Sequence, residues 1–394
     1  IFVSYFIDEC ANSVDLHWNE YINWSGGVNH YNVFIQETDV FSVITSSIIR
    51  TNAETNLLLE NLTSSSQYKI HIKAYNADST LVAVSNLLAC DISVAQKPLF
   101  HYIEYVTVNP DNGFIELNCY VDNQGVIDHY DIYRSKIVNG VEVGLDLIDN
   151  VTFNGTSSVH YIDNEASTSN YSYLYKTYPV DTCGITLNVP PVDDPAYVND
   201  ISYAQSILLE IEVNKDYSNF PGLESDYTNT ITFNEYDKWL GDVSKYELFR
   251  SINNEPFVML PIKTWDMDNN SNQELVFIDK VTEFGETNGK FCYYIKATEG
   301  DNTPYGSVPE GSLSNIVCIS QTPNIFVPNT FTPNGDEHNE VFRPIAYFVS
   351  EVGYSFSIFN RNGSEIFSTN EPSKGWDGTY KGSNVQNDNY VYHL

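Results

Sequence analysis

Two segments, NEYINWSGGVNHYNVF at residues 19–34 and NEYDKWLGDVSKYELF at residues 234–249, align without a gap. They share Asn19/Asn234, Glu20/Glu235, Tyr21/Tyr236, Trp24/Trp239, Gly26/Gly241, Val28/Val243, Tyr31/Tyr246 and Phe34/Phe249. Alternating apolar residues precede each copy: Val14, Leu16 and Trp18 in one, Ile231 and Phe233 in the other. Alternation with period two places one face of a strand in a core and the other in water. The signature therefore marks a β-module that occurs more than once. A diverged copy lies between the two. IDHYDIYRS at 127–135 resembles VSKYELFRS at 243–251, YID at 161–163 resembles FID at 277–279, and YSYLYK at 171–176 resembles FCYYIK at 291–296. The outer copies also end alike, SNLLAC closing on Cys90 and SNIVC on Cys318.

Breaks rich in proline and polar residues, AQKP at 95–98, NVPPVDDP at 188–195 and QTP at 321–323, divide the chain. The expected units are 1–96, 97–203, 204–322 and 323–394. The first three are each ~90–120 residues of short strands and turns, the size of an antiparallel sandwich. No segment shows sustained helical periodicity, so the fold class is all-β.

With 52 acidic and 19 basic residues among 394, the formal charge is −33. Such a field repels phosphates, which argues against nucleic acid and anionic lipid as partners. No apolar run approaches the roughly 18–20 residues of a membrane helix, so no direct span is expected. The chain opens on Ile1 with no signal segment, and is read as a piece of a longer precursor. The 29 tyrosines suit strands, where the ring packs on a pleated face and the hydroxyl reaches water.

Eight histidines are scattered without H-E-x-x-H, G-x-S-x-G or a Cys–His arrangement, so no enzymatic activity is expected. The six cysteines lack C-x-x-C spacing and are read as disulfides rather than zinc ligands. Oxygen donors cluster in NGDEHNE at 334–340, which makes Asn334, Asp336, Asn339 and Glu340 weak calcium candidates. DMDNNSNQE at 266–274 also alternates donors, but lacks the glycine and final glutamate of an EF-hand loop.

In ENLTSSSQYKIHIKAYN, at 60–76, Leu62 lies six residues before Tyr68, and Ile70, Ile72 and Ala74 alternate after it. This resembles the tyrosine corner of fibronectin type III domains, in which the Tyr hydroxyl ties down a crossing loop. The resemblance implies tandem fibronectin type III/Ig-like sandwiches over residues 1–322. In such sandwiches the first and last strands are neighbours, which implies a Cys10–Cys90 bridge. Adjacent final strands imply Cys292–Cys318, and the remaining pair is Cys119–Cys183.

After Pro323 the character changes. IFVPNTFTPNGDEHNEVFRP at 325–344 is followed by FSIFNRNGSEIF at 356–367, GWDGTYKG at 375–382 and NYVYHL at 389–394. These are strands joined by Asn-, Gly- and Pro-rich turns, with Asn362-Gly363 a hairpin signal. They resemble the gliding motility-associated C-terminal domain, the type B sorting domain of the Bacteroidetes type IX secretion system. The residues carrying the resemblance are Phe331, Thr332, Pro333, Asn334, Gly335, Asp336, Asn339, Phe342, Asn360, Arg361, Gly363, Ile366, Phe367, Trp376, Asp377, Gly378, Gly382, Tyr390 and Tyr392. Glu337, Glu340, Asn362 and Asn389 depart from the family pattern.

The resemblance implies export and display at the outer-membrane cell surface. The implied partners are the type IX translocon and associated outer-membrane β-barrel proteins (PorV-like or SprF/PorP-like). It further implies the stalk and sorting end of a surface adhesin, as in SprB-like gliding adhesins, or else the accessory tail of a secreted enzyme with its catalytic domain upstream. The sorting unit stops at Leu394 within an alternating strand, which suggests an open sheet edge.

Overall fold

The structure is a computed structural model. It describes all residues except 9, 40, 41, 64, 65, 92–96, 192, 194–201, 215–226, 238, 269–272, 302–310 and 351. Among the described residues every regular element is a strand, apart from one short 3-10 turn at Thr282–Phe284.

The first sandwich packs a three-stranded sheet, Val3–Asp8, Ser13–Trp18 and Asn56–Leu59, on a second sheet. In the second, Val43–Thr51, Val28–Thr38 and Gln67–Asn76 lie side by side, and both Val82–Val84 and Leu88–Asp91 pair with Gln67–Asn76. All pairings are antiparallel. The alternation read from the sequence is the burial pattern: Val14, Leu16 and Trp18 face Tyr31, Val33, Ile70 and Ile72 across the core. The second sandwich repeats the plan with His101–Val108, Ile115–Val121 and Ser158–Asp163 against Val141–Thr152, Ile127–Val138, Ser172–Asp181 and Tyr203–Gln205. Tyr203–Gln205 thus straddles the expected boundary at 203/204 and pairs backward, with Leu174–Lys176. The third sets Leu209–Val213, Thr228–Phe233 and Val276–Lys280 against Lys263–Asp266, Val243–Ile252, Lys290–Glu299, Gly311–Leu313 and Val317–Ser320.

The repeated signature performs the same task in both copies. The backbone N–H of Tyr21 donates to the hydroxyl of Tyr31 (3.2 Å), and that of Tyr236 to Tyr246 (2.8 Å). Trp24 packs on Tyr21, and Trp239 on Tyr236, with ring centroids 4.5 and 3.9 Å apart. The shared Ser-Asn pairs act as clips. Asn86 accepts from the N–H of Val3 and donates to its carbonyl, and Asn315 does the same with Leu209, so the first strand is held to the last. The Tyr68 hydroxyl accepts from the Thr63 N–H at 2.7 Å with Leu62 packed on the core, which is the corner geometry expected of that spacing. Tyr173 and Ser167 form a second such corner in the next sandwich, at 2.9 Å.

The second and third sandwiches share a buried polar triad. Arg134 donates to Asp163 at 2.6 Å, and the Tyr175 hydroxyl donates to the same carboxylate at 2.6 Å. Arg250, Asp279 and Tyr293 repeat this, with Arg250 Nη1 2.8 Å from both carboxylate oxygens and Tyr293 at 2.7 Å. Burial, followed by the adjacent carboxylate charge, pushes both tyrosine hydroxyls well above their ordinary range. They stay protonated and remain donors.

The units are joined in different ways. Core side chains of the second and third sandwiches form one continuous cluster, whereas those of the first form their own. Between the second and third, the Trp239 indole donates to the Glu104 carbonyl (2.5 Å), the Val106 N–H to the Tyr236 hydroxyl (3.0 Å) and the Ser312 hydroxyl to the Val106 carbonyl (2.7 Å). The first and second are bridged covalently by Cys10–Cys183.

That bridge corrects two expected pairings, Cys10–Cys90 and Cys119–Cys183. Cys90 and Cys119 are free thiols pointing into their own cores, Cys119 with its sulfur 3.7 Å from the Thr177 hydroxyl. Cys10 and Cys183 both lie in turns outside the sheets, with Cα atoms 5.4 Å apart. Cys292 and Cys318 are bonded, as register partners on adjacent strands. Burial pushes the Cys119 thiol up to about 12 and raises that of Cys90 as well, so neither offers thiolate to an oxidant. A non-reducing peptide map is expected to contain Cys10–Cys183 and Cys292–Cys318, with Cys90 and Cys119 alkylated only after denaturation. A Cys10–Cys90 peptide would overturn this assignment.

His101 gives the second sandwich a pH-dependent term. It is 2% exposed, 2.5 Å from the Thr177 hydroxyl, and burial holds it neutral with a pKa of about 3. As pH falls below about 6.5 the unfolded chain takes up a proton that the folded one refuses. Stability is therefore present above that value and is lost between it and about 3, with a slope approaching ~1.4 kcal/mol per pH unit. Urea unfolding of His101→Gln at about pH 7 and about pH 5 should show a smaller loss on acidification than the parent. Equal losses in the two proteins would sink the assignment.

Candidate functional site: the C-terminal unit and its groove

The last unit builds its core from few residues. Phe356–Phe359 lies between Glu365–Thr369 and Val391–His393, while Asn324–Phe326 pairs with Ile345–Tyr347 and Thr379–Tyr380 with Ser383–Asn384. The buried apolar side chains of this small core are Tyr354, Phe356, Ile358 and Trp376. Around Trp376 stand Phe331 at 5.4 Å and Tyr390 at 4.9 Å between ring centroids. Phe342 lies 5.7 Å from Phe331 and 6.3 Å from Tyr392. The backbone groups of Phe342 and Trp376 exchange two hydrogen bonds, at 2.8 and 2.9 Å, which stitches the first motif to the third.

The polar residues of the motifs hold turns. Glu340 accepts from the N–H groups of Gly335 and Asp336, both at 2.8 Å. Asp336 accepts from the His338 N–H at 2.9 Å and from the Asn334 amide at 2.9 Å, and these contacts, the Asn334 one foremost, hold its carboxyl below the usual range. The Asn339 carbonyl accepts from the Thr332 N–H at 3.0 Å. Of the calcium candidates, Asn334 Oδ1, both Asp336 carboxylate oxygens, Glu340 Oε1 and the Asn339 backbone carbonyl thus take donors from the loop itself. Among the described residues no group of three or more His, Cys, Asp or Glu is placed to hold a metal ion. The donors at 269–272 of the other candidate lie outside the described residues.

Asn360 accepts from the N–H groups of Asn362 and Ser364, both at 3.0 Å, and Gly363 takes a φ of +78°, which shapes the hairpin tip. Arg361 extends to Asp388 at 3.5 Å on the surface. The Asp377 carboxylate takes both the N–H (2.9 Å) and the hydroxyl (2.8 Å) of Thr379. Those two contacts lower its pKa. Gly378 has a φ of +80°, and a Cβ there would meet Pro333 at 2.9 Å. Any larger residue would push the 331–334 loop off the tryptophan.

Part of the motif set lines a groove of about 780 Å³. Its walls include Phe331, Thr332, Pro333, Asn334, Phe342, Trp376, Gly378, Tyr390 and Tyr392 from the expected set. Gly335, Asp336, Asn339, Asn360, Arg361, Gly363 and Asp377 stand outside it, in the turns that shape its surroundings. The sequence reading missed Ile358 on its floor and the Asn384–Asn389 rim. Ile358 was legible as the alternate of Phe356, but nothing in the local sequence brings the rim to Phe331. Val391–His393 pairs with Phe356–Phe359 along one edge only, and Val391 is 64% exposed.

Two known families match parts of the chain. Residues 325–394 match the CHU_C Type IX secretion signal domain, and residues 5–86 match the fibronectin type III domain. The chain therefore carries a fibronectin type III domain near its start and a type IX secretion signal at its end, which makes it a secreted protein of the type IX system. Both families are of non-catalytic kinds. No curated protein matches the chain. Among solved structures, the chicken CNTN1 FN1–FN3 domains align at 13% identity over 81% of this chain and 97% of that one. The TM-score of 0.22 lends that likeness no further weight.

Proposed function

We propose that the chain is the C-terminal stalk and sorting region of a cell-surface adhesin, serving attachment or gliding and without catalytic activity of its own. The supporting observation is the series of β-sandwiches, the second and third sharing one core, followed by the secretion signal. A continuous core resists bending between modules, which suits a stalk that must hold a binding region away from the membrane. In this reading the type IX translocon and an outer-membrane β-barrel protein receive residues 325–394, and the motif-lined groove is the surface they read.

The test uses the full chain in a cell with type IX machinery. The intact chain should reach the cell surface, and the chain lacking 325–394 should accumulate in the periplasm. Surface display without that unit refutes the sorting role. Unchanged cell attachment after removal of the whole displayed protein refutes the adhesin role.

A further inference from the structure

The secretion signal does not hang free of the third sandwich. Phe348, from the signal unit, is 1% exposed, yet it is buried in the core of the third sandwich rather than its own. Its ring meets Tyr227 and Phe291 edge-on at 5.0 and 6.1 Å, while Tyr347 lies 5.3 Å from Tyr227. The Phe348 N–H donates to the Gly285 carbonyl at 2.6 Å, and the Asn324 amide donates to the Tyr227 hydroxyl at 3.0 Å.

Two glycines make room for this. A Cβ on Gly285 would lie 2.4 Å from Cδ1 of Tyr347, and one on Gly289 2.7 Å from the Cβ of Phe348. Phe348 itself has a φ of +56°, a left-handed conformation that bulky residues rarely adopt. A strained aromatic residue fitted to a glycine-lined seat on another unit marks a contact over-determined by its surroundings.

We propose that the third sandwich is part of the secretion signal: its 285–289 turn seats Phe348 and fixes the orientation in which the groove is presented. The two units are then recognised and exported as one body. This rests on the sorting reading above.

The test compares three full-length variants. Gly285→Ala is the sharpest, because Gly285 has an ordinary helical φ of −57° and the severe overlap of an added Cβ is with Tyr347 at 2.4 Å, the Thr282 carbonyl lying at 3.2 Å. Phe348→Ala empties the seat, and Leu260→Ala, on an exposed surface of the third sandwich, is the control. In the first two, amide exchange at Ile345–Tyr347 and across 285–289 should rise by about tenfold or more, as expected when a local contact opens. Surface display should fall several-fold with periplasmic retention, and the control should match the parent. Faster exchange with parental display overturns the proposal, as does unchanged exchange in both seat variants. If Phe348→Ala is degraded, Gly285→Ala decides alone. Failure of the sorting reading is a separate result: display that survives deletion of 325–394.

Discussion

Asp279→Ala is expected to destabilise the third sandwich by ~3–5 kcal/mol, the usual cost of removing one partner from a buried ion pair. Asp279 is 5% exposed and holds both Arg250 and the Tyr293 hydroxyl. Without the carboxylate, a guanidinium stacked on Phe284 at 4.5 Å keeps a buried charge with no counter-ion in the triad, and Tyr293 loses its acceptor. The effect should spread along a chain of contacts. Asn229 donates to the Tyr293 hydroxyl at 2.8 Å, and Gln321, at the exit from the sandwich, donates to Asn229 at 2.7 Å. Chemical denaturation should show the loss. The double variant Arg250→Met with Asp279→Leu should recover most of it, because replacing both charges with apolar groups removes the desolvation cost along with the attraction. A single Asp279→Ala variant as stable as the parent would show that the triad is not a structural anchor.

Trp376→Ala is expected to unfold the secretion signal while the three sandwiches remain folded. Truncating a buried tryptophan costs about 3–5 kcal/mol. A unit the size of residues 325–394 has a total stability of only about 4–10 kcal/mol. Its core has few other fully buried apolar side chains, and the indole N–H also holds the Thr379 carbonyl at 2.8 Å. Calorimetry should show the transition of this unit displaced far below the rest or abolished, and surface display should fall several-fold. Trp376→Phe should keep the aromatic contacts with Phe331 and Tyr390 and lose less. Parental melting of Trp376→Ala would mean that the core does not depend on this side chain.

These two sites differ in how far they could be read from the sequence. Trp376 was among the residues that carry the resemblance to the sorting domain, in the GWDG string at 375–378. The triad could not be read that way. The matched strings around Arg134/Arg250, Asp163/Asp279 and Tyr175/Tyr293 showed that the modules were related, but alternation says only which side of a strand a residue takes. That an arginine and a carboxylate on different sheets meet a tyrosine below the surface is a consequence of sheet packing.

The cysteines separate the two kinds of information most clearly. Cys119 alternates with Ile115 and Leu117, so its inward direction was already present in the pattern. The partner of Cys10 was not. Cys10 lies in a turn of the first sandwich, and Cys183 is brought to it by a different turn in a different unit.

The sequence by itself determined the all-β class, the repeat, the tyrosine corner and the terminal secretion signal, because each is written in short-range spacing: period-two burial, turn residues and ordered motifs. The tertiary structure alone decided which turns carry a bridge, that the second and third sandwiches share a core, and that Phe348 leaves its own unit for a seat between glycines. Those outcomes depend on close approach between segments far apart in the chain, and no local pattern encodes the distance between two surfaces.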